Sequence, residues 1–239
     1  MISFHLRGHI IPFINLAIKL ASKGFTITFA HIDYIHHQIS KSHHNITEMD
    51  IFARARNSGL DIHYTTISDG LPIGFDRAAN FNLHLENFLY QFPDKVDEQV
   101  GKIITQPDSD SDYFLIADTF CVWPEKIAKK YNLVNVSFWT EPALVFSLYY
   151  HLDLLREKGH IPVTGRQENV DYIPGISSIN TKDFVSYFQD SGINSVTQNP
   201  FPGFRCGEKR RFHICNTVQE LGERKKERKG KKTKLEGRK

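Results

Sequence analysis

The segment Pro107-Asp-Ser-Asp-Ser-Asp-Tyr113-Phe-Leu-Ile-Ala-Asp118 passes from a polar loop into five apolar residues and ends at an aspartate. A short apolar run between polar residues is typical of a strand that is buried on both faces in a parallel sheet. A helical pattern follows over residues 125–130, and a second strand is predicted over 133–139. This succession forms a βαβ unit, so the sequence predicts an α/β fold with a Rossmann-like parallel sheet flanked by helices.

The same alternation of helix and strand signals extends to both sides of this unit. We place the first helix from Pro12, because proline is tolerated in a first helical turn, and its apolar spacing continues to Ala21. Aromatic and β-branched residues predict a strand after it. The further elements predicted are strands over 25–30, 61–67 and 213–218 and helices over 49–57, 77–104 (with a break at Pro93), 142–158 and 181–188.

Size and composition exclude several classes of protein. The chain has 239 residues, 40% hydrophobic and 24% charged, which suits one large domain or two small ones. Its three cysteines, Cys121, Cys206 and Cys215, form no Cys-x-x-Cys pair, which argues against a disulfide framework or a four-cysteine zinc site. No apolar run approaches the ~18 residues of a membrane span, and Lys19 interrupts the apolar stretch that could resemble a signal peptide. We therefore expect a cytoplasmic protein.

The positive charge of the chain is concentrated at its C-terminal end. Residues 222–239 hold ten Lys or Arg and three Glu, a local charge of +7, whereas the remaining residues hold 20 Lys or Arg and 24 Asp or Glu, a charge of −4. Such a tail could bind nucleic acid or an anionic membrane through counterion release. No aromatic residue interleaves with its charges, so we interpret it as a disordered, non-specific tail and predict no specific nucleic-acid partner.

Two residues stand where ligands bind in open parallel sheets, at the carboxyl ends of strands. Gly8-His9 directly precedes the first predicted helix, and Asp118 directly follows a predicted strand. If the two strand ends are adjacent, the carboxylate of Asp118 could hold the imidazole of His9 as a neutral base that takes a proton from a substrate hydroxyl. In the alternative interpretation, Asp118 caps the next helix and His9 is a surface residue.

Five motifs follow one another in a fixed order along the chain. They are Arg7-Gly-His-Ile-Ile-Pro-Phe-Ile-Asn-Leu-Ala-Ile-Lys-Leu-Ala-Ser-Lys-Gly-Phe-Thr-Ile-Thr-Phe29, Leu115-Ile-Ala-Asp-Thr-Phe120, Val136-Ser-Phe-Trp-Thr-Glu-Pro-Ala143, Asp171-Tyr-Ile-Pro-Gly175 and Cys215-Asn-Thr-Val-Gln-Glu-Leu221. In order and spacing they resemble the N-terminal half of plant family 1 UDP-sugar-dependent glycosyltransferases. The resemblance spans residues 4–195 and returns over 212–221.

The resemblance implies a GT-B fold, in which two Rossmann-like domains face each other across a cleft. It implies that residues 1–221 form the N-terminal acceptor-binding domain, and that the C-terminal UDP-sugar-binding domain is absent. The activity implied is transfer of a hexose, with inversion, from a UDP-sugar such as UDP-glucose to a hydroxyl of a small lipophilic acceptor. The UDP-sugar is a co-substrate, and neither a cofactor nor a metal is implied.

The resemblance also assigns roles to individual residues. His9 matches the residue that deprotonates the acceptor hydroxyl, and Asp118 matches the one that orients this histidine and balances its charge. Thr140 matches a contact to the donor sugar. The acceptor pocket is matched by Gly8, Phe120, Trp139 and Glu141.

The departures from the family pattern set further expectations. Only Met1-Ile-Ser-Phe-His-Leu-Arg7 precedes the Gly-His pair, so the central first strand is expected to be largely missing, with an exposed hydrophobic seam and His9 poorly held. The Trp- and His-rich donor signature, a Gly-x-Gly-x-x-Gly loop and a Walker A motif do not occur in this sequence. We therefore expect the chain alone to be inactive. The alternative is a truncated, non-catalytic relic or a small-molecule-binding domain, and the oligomeric state is left open.

Three further patterns bear on other functions. The histidines between His31 and His44 could bind zinc, but no cysteine or regularly spaced carboxylate accompanies them, so a solvated loop is preferred and no metal site is predicted. The aromatic-rich residues 81–92 either pack a helix or line the acceptor pocket. No Gly-x-Ser-x-Gly elbow indicates a hydrolase.

Overall fold

The computed structural model describes residues 1–42, 50–104, 112–161, 163, 167–185, 188 and 211–217. The basic segment 222–239, His43, His44 and Cys206 lie outside these residues. The helices are α1 Arg7–Ala21, α2 Asp33–Ser42, α3 Ala53–Asn57, α4 Phe81–Tyr90, α5 Phe92–Ile104, α6 Pro124–Lys130, α7 Ala143–Tyr150 and α8 Leu152–Glu157. The strands are β1 Ile27–Ile32, β2 Ile62–Ile67, β3 Phe114–Asp118, β4 Val134–Trp139, β5 Asn169–Val170, β6 Ile179–Asn180 and β7 Arg211–Cys215.

A parallel sheet organises the chain, as the sequence predicts. Strand β1 pairs with β2, and β4 pairs with both β3 and β7, all in parallel. The N-terminal residues 1–4 lie between β1 and β3, where Ile2 bridges Ala30 on one side and Ala117 on the other. The resulting order is β2, β1, residues 1–4, β3, β4, β7. With residues 1–4 counted as the first strand, this is the 3-2-1-4-5-6 order of a doubly wound fold.

The central position of the sheet is short but filled. The segment forms isolated bridges centred on Ile2 rather than a continuous ladder, so the first strand is reduced, as the sequence predicts. Its N–H donates to the carbonyl of Ile116 at 2.9 Å, and its carbonyl accepts from Asp118 N–H at 3.1 Å. Ile2 and Phe4 are buried in the core. The expectation of an exposed seam is therefore wrong, because four residues suffice to span the gap between β1 and β3.

Two hydrophobic clusters are packed on the sheet. Helix α1 inserts Phe13 into one cluster, where its ring lies 4.9 Å from that of Phe138. The other cluster takes in α4 to α8 and the side chain of Trp139. Consecutive strand residues such as Leu115 and Ile116 belong to different clusters, because side chains alternate between the faces of a strand.

Several predicted boundaries move in the structure. Helix α1 begins at Arg7 rather than Pro12, because the carbonyl of Leu6 accepts from His9 N–H and Ile10 N–H at 2.9 and 3.0 Å. The Gly8-His9 pair therefore lies in the first turn of α1 instead of preceding the helix. Pro12 stays in the helix because its fixed φ is helical, and the carbonyl that it cannot pair belongs to exposed Gly8.

The longer helical predictions are divided in the structure. The pattern over 77–104 forms α4 and α5, which are separated at Gln91 rather than at Pro93, and the pattern over 142–158 forms α7 and α8 around His151. Of the helix predicted over 181–188, Thr181–Asp183 form a 3₁₀ turn, and residues 186–187 lie outside the described part of the chain. None of the helices in the described ranges is long and apolar enough to cross a membrane.

The histidine-rich segment is not a solvated loop in its described part. His31 is buried in β1, and residues 33–42 form α2. The Nδ1 atom of His36 lies 3.1 Å from the hydroxyl of Tyr64. Within the part of the chain that the structure describes, no three His, Cys, Asp or Glu side chains form a group that could hold a metal ion.

The central position predicts a large effect of truncating Ile2. We expect Ile2→Ala to lower the free energy of unfolding by about 2–4 kcal/mol, because a buried side chain at the middle of the sheet is lost. Ile11→Ala is the matched control: Ile11 is 58% exposed on α1, and the change should stay within about 0.5 kcal/mol. Urea unfolding followed by circular dichroism measures both. Equal midpoints for the two variants would contradict the central role of residues 1–4.

Candidate active site

Three buried polar side chains converge at the carboxyl end of the sheet. His9 lies in the first turn of α1, Asp118 ends β3, and Thr140 follows β4. The Nδ1 atom of His9 is 2.8 Å from Oδ2 of Asp118 and 2.9 Å from Oγ1 of Thr140. Their exposed fractions are 7%, 2% and 6% in the same order. The structure thus brings together the His and the Asp that the strand ends suggest, together with the third residue.

The carboxylate of Asp118 serves two purposes at once. Oδ1 accepts a hydrogen bond from the N–H of Phe120 at 3.0 Å, which fixes the turn after β3. Oδ2 faces His9 and also the N–H of Phe4 at 3.4 Å. The alternative interpretation is wrong in both parts: α6 begins at Pro124 with Trp123 as its N-cap residue, so Asp118 closes a turn rather than capping a helix, and His9 is buried rather than on the surface. An ionised carboxylate only accepts hydrogen bonds, so this contact favours the tautomer of His9 that has its proton on Nδ1.

Aromatic rings surround the imidazole. The rings of Phe4 and Phe120 have centroids 5.2 and 5.0 Å from that of His9. Trp139 lies behind Phe120 at 5.5 Å and is 1% exposed, so it packs against the site from within the core. Gly8 is exposed beside His9, and Glu141 is half-buried directly after Thr140. The apolar surroundings strengthen the hydrogen bond between His9 and Asp118 relative to water.

The aromatic residues of α4 and α5 pack against the core. Phe88 and Phe92 are stacked at 5.0 Å, and both contact the ring of Trp123. Phe88 also meets Phe4 edge to face at 5.1 Å, which connects this packing to the ring that touches His9. The packing interpretation of residues 81–92 therefore describes these two rings, while Phe81 on the same helix is exposed.

Asp69 and Arg77 form a second buried polar cluster, which the sequence analysis does not predict. Arg77 donates from Nε to Oδ2 of Asp69 at 3.0 Å and from Nη2 to Oδ1 at 2.9 Å, and its guanidinium lies over the ring of Tyr34 at 4.0 Å. Three backbone carbonyls of the same loop also accept from this guanidinium. The pair holds the loop between β2 and α4. Nothing in the spacing of the two residues signals the pair, although Asp69-Gly70 marks a turn.

Two imidazoles lie between this ion pair and His9. The rings of His5 and His84 are 4.1 Å apart, and Nδ1 of His84 is 3.7 Å from Oδ2 of Asp69. The pKa of His5 is lowered to about 3, mainly by burial and to a smaller extent by the neighbouring His84, His9 and Arg77. Burial likewise lowers the pKa of His84. Both rings are therefore neutral in the folded chain at neutral pH.

Comparison with proteins of known function identifies the relatives of the chain. It is 49% identical over 228 residues to UDP-glycosyltransferase 86A1 and 48% identical over 224 residues to UDP-glycosyltransferase 86A2, both of Arabidopsis thaliana. Each alignment covers 92% of this chain. Over most of its length the chain is therefore similar to plant UDP-glycosyltransferases. It spans about half the length of these relatives, 46% and 45%. Comparison with models of protein families gave no match.

Solved structures of UDP-glycosyltransferases share the fold. A crystal structure of UDP-glucose:anthocyanidin 3-O-glucosyltransferase with UDP superposes with a TM-score of 0.62 at 24% identity, over 85% of this chain and 43% of that one. The UGT73P12 structure of Glycyrrhiza uralensis gives 0.63 at 16% identity, over 95% and 45% of the two chains. Both are GT-B enzymes, so the Rossmann-like sheet of this chain corresponds to one part of the GT-B fold.

Buried neutral histidines predict a loss of stability in acid. Burial lowers the pKa of His31 to about 4, with a smaller contribution from His36. Between pH 6.5 and pH 4, His31 is protonated in the unfolded chain but stays neutral in the folded chain. The free energy of unfolding therefore falls as the pH falls toward 4. The part due to His31 should reach about 2 kcal/mol between pH 7 and pH 5.

Urea unfolding at the two pH values tests this. His31→Phe should remove about 2 kcal/mol of the difference between pH 7 and pH 5. His63→Gln, at an exposed position, should leave the difference unchanged. An identical acid sensitivity of His31→Phe and the unaltered chain would show that His31 titrates normally.

Proposed function

We propose that this chain supplies the acceptor-binding side and the general base of a glycosyl transfer from a UDP-sugar to a hydroxyl of a small lipophilic molecule. The observation that carries the proposal is the buried contact of His9 Nδ1 with Asp118 Oδ2 at 2.8 Å. This contact gives the imidazole one protonated and one basic nitrogen, which is the state that a general base needs. Residues 1–221 are then the acceptor-binding domain.

In the proposed mechanism the acceptor hydroxyl gives its proton to Nε2 of His9. The hydroxyl oxygen attacks the anomeric carbon of the sugar, the bond from that carbon to the diphosphate breaks, and UDP leaves with the electron pair. Attack from the side opposite the leaving group inverts the anomeric configuration. The imidazolium that forms is stabilised by the carboxylate of Asp118, which stays ionised throughout.

The other site residues receive roles from their positions. If Oγ1 of Thr140 accepts a hydrogen bond from Nδ1 of His9, the hydroxyl proton of Thr140 is available for another partner. We assign this hydroxyl as a donor to an oxygen of the donor sugar. Phe120, whose ring contacts His9, forms the acceptor wall with Gly8 and Glu141. Trp139 supports Phe120 from behind.

The relatives support the substrate classes. The Prunus dulcis protein with 26% identity over 206 residues is named (R)-mandelonitrile beta-glucosyltransferase. The Phytolacca americana UGT2 structure, which has a TM-score of 0.59, holds UDP-2fluoro-glucose and pterostilbene. We infer UDP-glucose as the donor and a small hydroxylated compound as the acceptor of this chain. Cys121 and Cys215 are free thiols, which fits the proposed cytoplasmic location.

Transfer also needs a group of residues that binds the UDP-sugar. The relatives are about twice as long as the part that this chain matches, and the sequence contains no glycine-rich phosphate loop. We therefore expect the 239-residue chain alone to bind an acceptor and to leave UDP-glucose unconsumed. Detection of UDP release from UDP-glucose by the purified chain would contradict this expectation and would also remove the alternative of a binding domain without catalysis.

A chimera tests the proposed roles directly. The matching segment of UDP-glycosyltransferase 86A1 is replaced by this chain, and UDP release is measured with a panel of phenolic and alcoholic acceptors. His9→Ala should lower turnover by about 10²–10⁴-fold, because the general base is lost. Asp118→Asn should lower it by a smaller factor, because the amide no longer stabilises the imidazolium.

His63→Gln provides the matched control for the chimera. His63 is an exposed histidine near the start of β2, outside the proposed site, and its substitution should leave turnover unchanged. A His9→Ala chimera that retains more than half of the turnover would exclude His9 as the base. A chimera without any turnover that still folds and binds acceptor would favour the non-catalytic alternative.

A further inference from the structure

Asn216, the first residue after β7, makes two hydrogen bonds to the end of β4. Its backbone N–H donates to the carbonyl of Trp139 at 2.8 Å, and its side-chain Nδ2 donates to the carbonyl of Thr140 at 3.1 Å. The first bond continues the parallel ladder of β4 and β7 by one residue. The second bond is additional to the ladder and depends on the amide side chain. This side-chain bond therefore fixes the carbonyl of Thr140, which lies beyond the last residue of β4.

The residue that Asn216 holds is the one whose hydroxyl touches His9. Thr140 follows β4 and is buried, with Oγ1 2.9 Å from Nδ1 of His9. A threonine side chain has few rotamers, so the position of its hydroxyl follows from the position of its backbone. Fixing the carbonyl of Thr140 consequently fixes the oxygen beside the imidazole.

The Nδ1 atom of His9 lies between two oxygens that come from different strands. Asp118 at the end of β3 provides one, and Thr140 after β4 provides the other. With only one of these contacts, the imidazole of His9 could change its orientation while keeping that hydrogen bond. Two contacts at 2.8 and 2.9 Å restrict that rotation, and the carboxylate, which can only accept, disfavours the tautomer with the proton on Nε2.

We propose that Asn216 is a positioning residue that acts through Thr140 to hold His9 in the orientation and tautomer of a general base. The proposal rests on the proposed function of His9 and deepens it. Asn216 belongs to the motif that begins at Cys215, and the resemblance to the family assigns no role to this asparagine. Asn216 touches neither the imidazole nor a reacting atom, and its effect passes through the backbone of Thr140.

The tautomer of His9 is the direct readout. The 239-residue chain is labelled with ¹⁵N-histidine, and long-range ¹H–¹⁵N correlation spectra show which ring nitrogen carries the proton. The His9 signals are assigned by their loss in His9→Gln. In the unaltered chain His9 should show a protonated Nδ1. Asn216→Ala should show exchange-averaged nitrogens, and Thr140→Val should show the same change.

Three variants separate positioning from general destabilisation. Asn216→Asp keeps the shape of the side chain but removes the N–H donor, so it should behave as Asn216→Ala does. Thr140→Ser keeps the hydroxyl and should restore the spectrum of the unaltered chain. Thr217→Ala changes the exposed neighbour and serves as the control. A His9 spectrum that is the same in Asn216→Ala, Asn216→Asp and the unaltered chain would overturn the proposal.

Turnover of the chimera provides the second readout. Asn216→Ala should lower kcat by about tenfold and leave the KM of the acceptor within about twofold, because orientation of the base is lost while the binding surface is kept. An equal fall for Thr217→Ala would overturn the proposal. If His9→Ala retains turnover, the proposed function fails, and the tautomer spectra still decide whether Asn216 positions His9.

Discussion

The carboxylate of Asp118 joins parts of the chain that are far apart in the sequence. One oxygen holds the turn at Phe120, and the other faces the N–H of Phe4 and the imidazole of His9. The residue is almost fully buried, so its charge has to be satisfied by these partners rather than by water. This one side chain therefore connects the first turn of α1 to the end of β3, and the geometry of the site depends on it.

The short central segment makes that arrangement attainable. Residues 1–4 fill the gap between β1 and β3, so that the chain enters α1 directly above the end of β3. Burial of Phe4 then gives His9 an aromatic neighbour. The same ring meets Phe88 of α4, which links the site to the second cluster of the core. The sheet order and the environment of the imidazole therefore have a common origin.

Local sequence patterns predict the parts of the structure that local physics determines. The apolar run ending at Asp118 is β3, and its place beside the Gly8-His9 pair follows from the rule for strand ends and from the family motifs. The predicted start of α1 is wrong because a proline is compatible with both a first turn and a helix interior. The filled centre of the sheet could not be predicted, because residues 1–4 are too few to show a periodicity.

Contacts between distant side chains carry no signal of their own in the sequence. The hydroxyl of Thr140 meets His9 only because β4 lies next to β3, and Asn216 meets Thr140 only because β7 lies next to β4. The ion pair of Asp69 and Arg77 likewise depends on how one loop folds back on itself. Spacing along the sequence identifies candidates for chemistry, whereas their partners depend on the order of the strands.

The central claim is that Asp118 acts on the reaction through His9. A double-mutant cycle in the chimera tests it most directly: turnover is measured for His9→Gln, for Asp118→Asn and for the combined variant. If the two residues work as one unit, the combined variant is no slower than His9→Gln alone, because the carboxylate has nothing left to orient. If the two losses multiply, Asp118 acts independently of His9, and the claim that the carboxylate works by orienting the imidazole is wrong.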